Sequence, residues 1–99
     1  MKKTNPNITS TPSSGNVFLD MGFEPAEAHL LLMRSELMNR LEKYLSAQGW
    51  TQAEAAKRLG ITQPRVSKLM RGAWEDFSID MLLLFAGRLG INTELRIAA

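Results

Sequence analysis

The chain has 99 residues, a net charge of +2 and no cysteine. That length holds one small domain, and the lack of cysteine excludes a disulfide framework and thiolate metal sites and suits a reducing compartment. Met1-Lys2-Lys3 is followed by Thr, Asn and Pro rather than an apolar stretch, and the longest uninterrupted apolar run, Met81 to Ala86, is too short to span a bilayer, so neither a signal peptide nor a membrane anchor is read and a cytoplasmic protein is expected.

Residues 1–15, MKKTNPNITSTPSSG, hold only Met1 and Ile8 as apolar residues. Such a segment buries too little surface to offset its ordering entropy, so it is read as a disordered tail, with residues 16–99 forming the domain. Asn16 to Phe23, NVFLDMGF, is a short apolar patch ended by Gly22, too short for an independent element. Pro25 suits the first turn of a helix. Helical residues continue to Gln48, with Leu37, Leu41, Tyr44 and Gln48 on one line and Met38 and Leu45 beside it. Ser35 marks a point where this region could divide into two helices, and Gly49 ends it.

Thr51 then caps a helix, with Glu54 three residues on as the return half of a capping box. This helix stops at Gly60. Thr62 caps the next, Pro64 falls in its first turn, and Gly72 closes it. Ser78 caps a further helix with Asp80 in its first turn, ending at Gly90. In that helix Ile79, Leu82, Leu83 and Ala86 form a core stripe, and Met81, Leu84 and Phe85 form a second one, to be covered by either the N-terminal segment or a second copy of the chain. The chain closes with INTELRIA. Ile91, Thr93, Leu95 and Ile97 alternate with Asn92, Glu94 and Arg96, the period-2 pattern of a strand. The expected fold is therefore mainly α, four to five helices with one short C-terminal β-strand.

Charge is concentrated on the central helix pair. Residues 51–72 carry Lys57, Arg58, Arg65, Lys68 and Arg71 against Glu54, a net +4, while residues 16–50 and 73–99 each carry −2. A basic helix pair in acidic surroundings is the electrostatic footprint of a nucleic-acid reader. Its second helix turns Val66, Leu69 and Met70 to one side and Gln63, Pro64, Ser67, Lys68 and Arg71 to the other. Short polar groups lead that outer face and cations follow, which suits base edges and then phosphates. Gly60 permits a positive φ between the helices, and Ala55 and Ala56 allow a close crossing.

These residues resemble the lambda-repressor-like, Xre-type helix-turn-helix family. In its twenty-residue unit, counted from Gln52, that family favours a small residue at the fifth place, glycine at the ninth and a branched aliphatic at the fifteenth, and this chain supplies Ala56, Gly60 and Val66. The docking of such a domain puts the second helix N-terminus first into the major groove. Thr62, Gln63, Pro64, Ser67 and Lys68 are then the base or groove residues: Gln63 for adenine, Lys68 for guanine O6 or N7, and Pro64 for a thymine methyl. Gln52, Arg65 and Arg71 are the phosphate contacts. One half-site offers few such side chains, so a homodimer on a palindromic operator is expected, with INTELRIA pairing with its two-fold mate in preference to Val17–Asp20 or the sheet edge of another protein.

Taken with the flanking NVFLDMGF, EAHLLLMRSELM and FSIDMLL, the chain also resembles the short HigA-type antitoxins of type II toxin–antitoxin modules. It departs from them at Trp50, where leucine is more usual, and at Lys68, where an acid is common. That resemblance implies a repressor of its own operon that also silences a RelE-like ribonuclease toxin. The alternative is a stand-alone Xre-type regulator whose only partner is DNA. His29 is the sole histidine and no carboxylates cluster at ligand spacing, so no catalytic activity, cofactor or metal is expected.

Overall fold

The structure is a computed structural model and describes residues 15–98. Among them are five α-helices: α1 (Val17–Asp20), α2 (Pro25–Gln48), α3 (Gln52–Leu59), α4 (Gln63–Met70) and α5 (Ile79–Arg88), with a 3₁₀ turn at Trp74–Asp76. The tail expected over residues 1–15 lies outside the described residues except for Gly15. The chain divides into two units, one ending at Met33 and one beginning at Arg34, and α2 runs through the division.

In the first unit, the patch read as too short for an element is a capped turn of helix. The Asn16 side-chain oxygen accepts from the Phe18 and Leu19 amides, and its Nδ2 donates to the Ala28 carbonyl at 3.1 Å. The Phe18 carbonyl accepts from Phe23 N at 3.0 Å, and the two rings meet edge to face with centroids 6.1 Å apart. Phe18, Ala28 and Leu31 are buried, while Val17, Met21 and Leu30 are exposed. The break entertained at Ser35 does not occur. Serine lowers helix propensity by only a fraction of a kcal/mol, and no Gly or Pro interrupts residues 26–48.

In the second unit, Met38, Leu41 and Leu45 of α2 join Ala55, Ala56 and Leu59 of α3, Val66 and Leu69 of α4, and Leu82, Phe85 and Ala86 of α5 in one core, completed by Phe77. The Phe77 and Phe85 rings cross at 70° with centroids 6.0 Å apart. The buried side of α5 differs from the expected stripe: Leu82, Phe85 and Ala86 face in, whereas Leu83 and Leu84 are exposed. Positions 82, 85, 86 and 89 follow the i, i+3, i+4, i+7 rule, and Phe85 has the larger apolar surface to hide.

The C-terminal strand is not formed. Residues 91–98 carry neither helix nor ladder, and residues 92–98 make no backbone hydrogen bond among the described residues. A strand exists only through a partner's ladder, and the intrachain candidate, Val17–Asp20, is itself helical. Ile91 packs on the core, while Leu95 and Ile97 are exposed.

The turn after α3 sets the direction of α4. Gly60 adopts φ +73°, and the Gly60 and Ile61 amides both donate to the Ala56 carbonyl, at 2.8 and 3.0 Å. This includes the six-to-one bond of a Schellman closure. Arg88, from the last turn of α5, donates Nη1 to the Leu59 carbonyl at 2.6 Å. A Cβ on Gly60 would meet that same nitrogen at 3.0 Å. Gly49 has a similar φ of +71° but open space around it. Gly60→Ala is therefore expected to cost about 1–3 kcal/mol from backbone strain, plus roughly 1 kcal/mol for the disturbed arginine bond. Gly49→Ala carries the strain alone. Urea denaturation of both variants, each repeated with Arg88→Ala, measures the difference, which should vanish once Arg88 is gone.

Candidate nucleic-acid interface

The interface is built on α4, whose N-terminus is set by Thr62. Its hydroxyl oxygen accepts from Arg65 N at 3.4 Å. The O–H hydrogen stays available to donate to a phosphate or base. With Val66 and Leu69 buried, the helix presents Gln63, Pro64, Lys68 and Arg71 to solvent and keeps Ser67 half-buried. The five residues read as groove contacts thus lie along one side of α4: Thr62 caps it, Gln63 and Pro64 open it, Ser67 follows a turn later and Lys68 lies in its last turn.

The cations are more constrained than their spacing suggests. Arg71 Nη1 donates to Ser67 Oγ at 3.0 Å along the helix surface. Lys68 Nζ lies 3.8 Å from Asp76 Oδ2 of the 3₁₀ turn. Arg65 is folded inward: its guanidinium lies 4.5 Å from the centre of the Phe77 ring, and its Nη2 donates to Met81 Sδ at 3.0 Å. Arg65 therefore joins α4 to the start of α5 through a cation–π contact, while Arg71 projects outward.

Gln52 stands exposed at the first position of α3, directly after its cap. Thr51 Oγ1 accepts from Glu54 N at 3.1 Å, one half of the expected capping box. The Glu54 carboxylate turns along the helix instead and holds Arg58, with Oε2 at 3.0 Å from Nη2. The Arg58 guanidinium also covers Trp50 at 4.2 Å, and Trp50 meets Tyr44 edge to face at 6.4 Å. Beside Gln52 opens a shallow groove of about 250 Å³ whose walls include Trp50, Val66 and Met70, so the start of α3 borders α4. The first amides of α3 have no partner within their own helix, and the positive end of its dipole lies there.

Sequence reasoning missed the roles of four positions. Arg88 could have been found as the cation in the last turn of α5. Phe77 and Asp76 sit in a stretch with no periodicity, and Trp50 shows its role only through the stacked Arg58. Among the described residues, no group of His, Asp or Glu side chains is placed to hold a metal ion, and no helix is long and apolar enough to cross a membrane.

A capped helix, a left-handed glycine, and a second helix with a buried apolar side and an outward polar, basic side define a helix-turn-helix domain, a DNA-binding class. Residues 17–98 match the helix-turn-helix domain family over most of the chain, and the protein belongs to that family. No curated protein matches the chain.

The inward course of Arg65 separates it from Arg71 in an experiment. Arg65→Ala should lower stability by about 0.5–2 kcal/mol through the lost cation–π contact and leave the salt dependence of DNA binding nearly unchanged. Thermal unfolding followed by circular dichroism, with binding titrations over a range of salt, reads both effects.

Proposed function

We propose that this protein is a sequence-specific transcriptional repressor that binds its operator through α4. The reading rests above all on the outward face of that helix, where Gln63 and Pro64 stand at the end that enters a major groove and Ser67 and Lys68 follow along the same side. Gln63 has the paired acceptor and donors for adenine, Lys68 the donors for guanine, and Thr62 and Ser67 keep a hydroxyl hydrogen for either base or phosphate. Arg71 and Gln52 flank this group as phosphate contacts. Arg65 would reach a phosphate only by leaving Phe77.

One such helix reads too little sequence for tight binding, so the active form is a homodimer with reading heads about 34–36 Å apart on a palindromic site. The C-terminal segment supports this reading: its alternating residues leave Leu95 and Ile97 exposed and its backbone unpaired. Two copies in antiparallel register would satisfy both needs at once.

The finer reading is a cytoplasmic antitoxin of the HigA type, which also binds and silences a RelE-like toxin and represses its own operon. Its support lies in the first unit. An ordered, capped helix exposes Val17 and Met21, and residues 15–33 contain Asp20, Glu24 and Glu27 with no lysine or arginine. Such a surface repels DNA and suits a basic protein.

DNA binding should fall by about 10³–10⁵ between roughly 50 and 200 mM salt if about 6–10 phosphates are contacted. Arg71→Ala should weaken specific and random DNA alike and lower the salt slope by about 1, whereas Lys68→Ala should change sequence preference. Equal losses on both DNAs for Lys68→Ala, measured by fluorescence anisotropy, would remove Lys68 from the groove. Truncation after Asn92, which spares the packed Ile91, should yield a monomer by light scattering. Affinity capture from the native lysate after nuclease treatment separates the finer readings. A stoichiometric small basic protein supports the antitoxin, and recovery of the bait alone supports a regulator whose only partner is DNA.

A further inference from the structure

The Lys68–Asp76 pair joins the reading face of α4 to the turn that follows it. The turn is firmly held. Asp76 N donates to the Ala73 carbonyl at 3.0 Å and Phe77 N to the Trp74 carbonyl at 3.3 Å, and the next side chain, Phe77, is buried beneath Arg65. The backbone that carries the carboxylate is therefore held beside the helix. The pair itself is half-exposed, 46% and 45%, and its separation is 3.8 Å. It is water-screened and readily exchanged for a better partner.

We propose that Asp76 is a specificity-determining residue that acts by positioning Lys68. This rests on the DNA-reading proposal above. Paired with Asp76, Lys68 presents little net charge to a passing phosphate, and the carboxylate repels the backbone. A bidentate guanine edge is a stronger partner than an exposed carboxylate and draws the ammonium into the groove. Random DNA, which offers mainly phosphates, leaves the pair closed. Asp76 thus suppresses sequence-independent binding while the operator, which supplies the right base, still recruits Lys68. The inward course of Arg65 acts in the same direction and leaves Lys68 as the cation with a charged competitor on the reading face.

The test compares the full-length protein with Asp76→Asn, Glu75→Gln and Lys68→Ala, and with the double variant Lys68→Ala/Asp76→Asn. Two duplexes are used: the tightest binder selected from a random-sequence pool and a random duplex of equal length. One added phosphate contact is worth roughly eightfold at about 0.1 M salt. Asp76→Asn is expected to raise affinity for random DNA about three- to tenfold, to steepen its salt slope by about 0.9, and to lower the specificity ratio by at least about threefold. Glu75→Gln removes an equal charge one residue away and should shift both affinities alike, leaving the ratio intact. In the Lys68→Ala background, Asp76→Asn should lose its effect on the ratio. An unchanged ratio in Asp76→Asn, an equal fall in Glu75→Gln, or a fall that persists without Lys68 overturns the role of Asp76. If the wild-type protein binds neither duplex, the DNA-reading proposal itself fails, and this role fails with it.

Discussion

The carbonyl groups at the end of α3 need partners, and the way they obtain them determines where α4 lies. Gly60 and Ile61 turn back onto Ala56, and Arg88 reaches from α5 to cover Leu59. Each contact is modest alone, but they act on the same few atoms. The left-handed glycine fixes the exit angle, the arginine fills the space a side chain would take, and Leu59, Leu69 and Leu82 close beneath them with no exposure. Three helices thereby meet at one short turn, and the outward face of α4 is held by the core rather than by its own eight residues, which are too few for stability in isolation.

The same core disciplines the charges. A net +4 over residues 51–72 would attract any polyanion if all five cations were free. Instead four of the five are engaged: Arg58 lies between Glu54 and Trp50, Arg65 over Phe77, Lys68 near Asp76 and Arg71 against Ser67. Broad attraction is traded for placement. Side chains held in this way have less freedom left to lose at a binding surface.

The helix pair was legible in the sequence because its signals are local. Thr51, Thr62 and Ser78 act as caps where they were read, and Gly60 takes the conformation that its position between two helices requires. The solvent-facing set on α4 followed from the same periodicity that buries Val66 and Leu69. What escaped was non-local. The contact of Arg88 with Leu59 spans 29 residues, and nothing near position 65 says that its guanidinium will meet Phe77 and Met81. The exchange of Leu83 for Phe85 on the buried side of α5 has the same origin, since three consecutive leucines leave periodicity ambiguous and only the shape of the facing core decides. The strand pattern at 91–97 shows the opposite limit. Alternation describes a segment fit for a sheet, but a sheet requires a second strand, and the described residues, taken singly, do not provide one.

The division of α4 into a buried half and an exposed half also bears on how such a protein can diversify. Val66 and Leu69 answer to the core, while Gln63, Pro64 and Lys68 bury nothing and cap nothing. Letters on the outer side can therefore change without refolding the domain, so a new target sequence is reachable by single substitutions through stable intermediates. The turn has no such freedom. A side chain at position 60 would meet both a left-handed backbone and the Arg88 guanidinium 3.0 Å from its Cβ, so change there is costly whatever stands at position 88. The protein thus combines an alphabet open to revision with a frame that resists it.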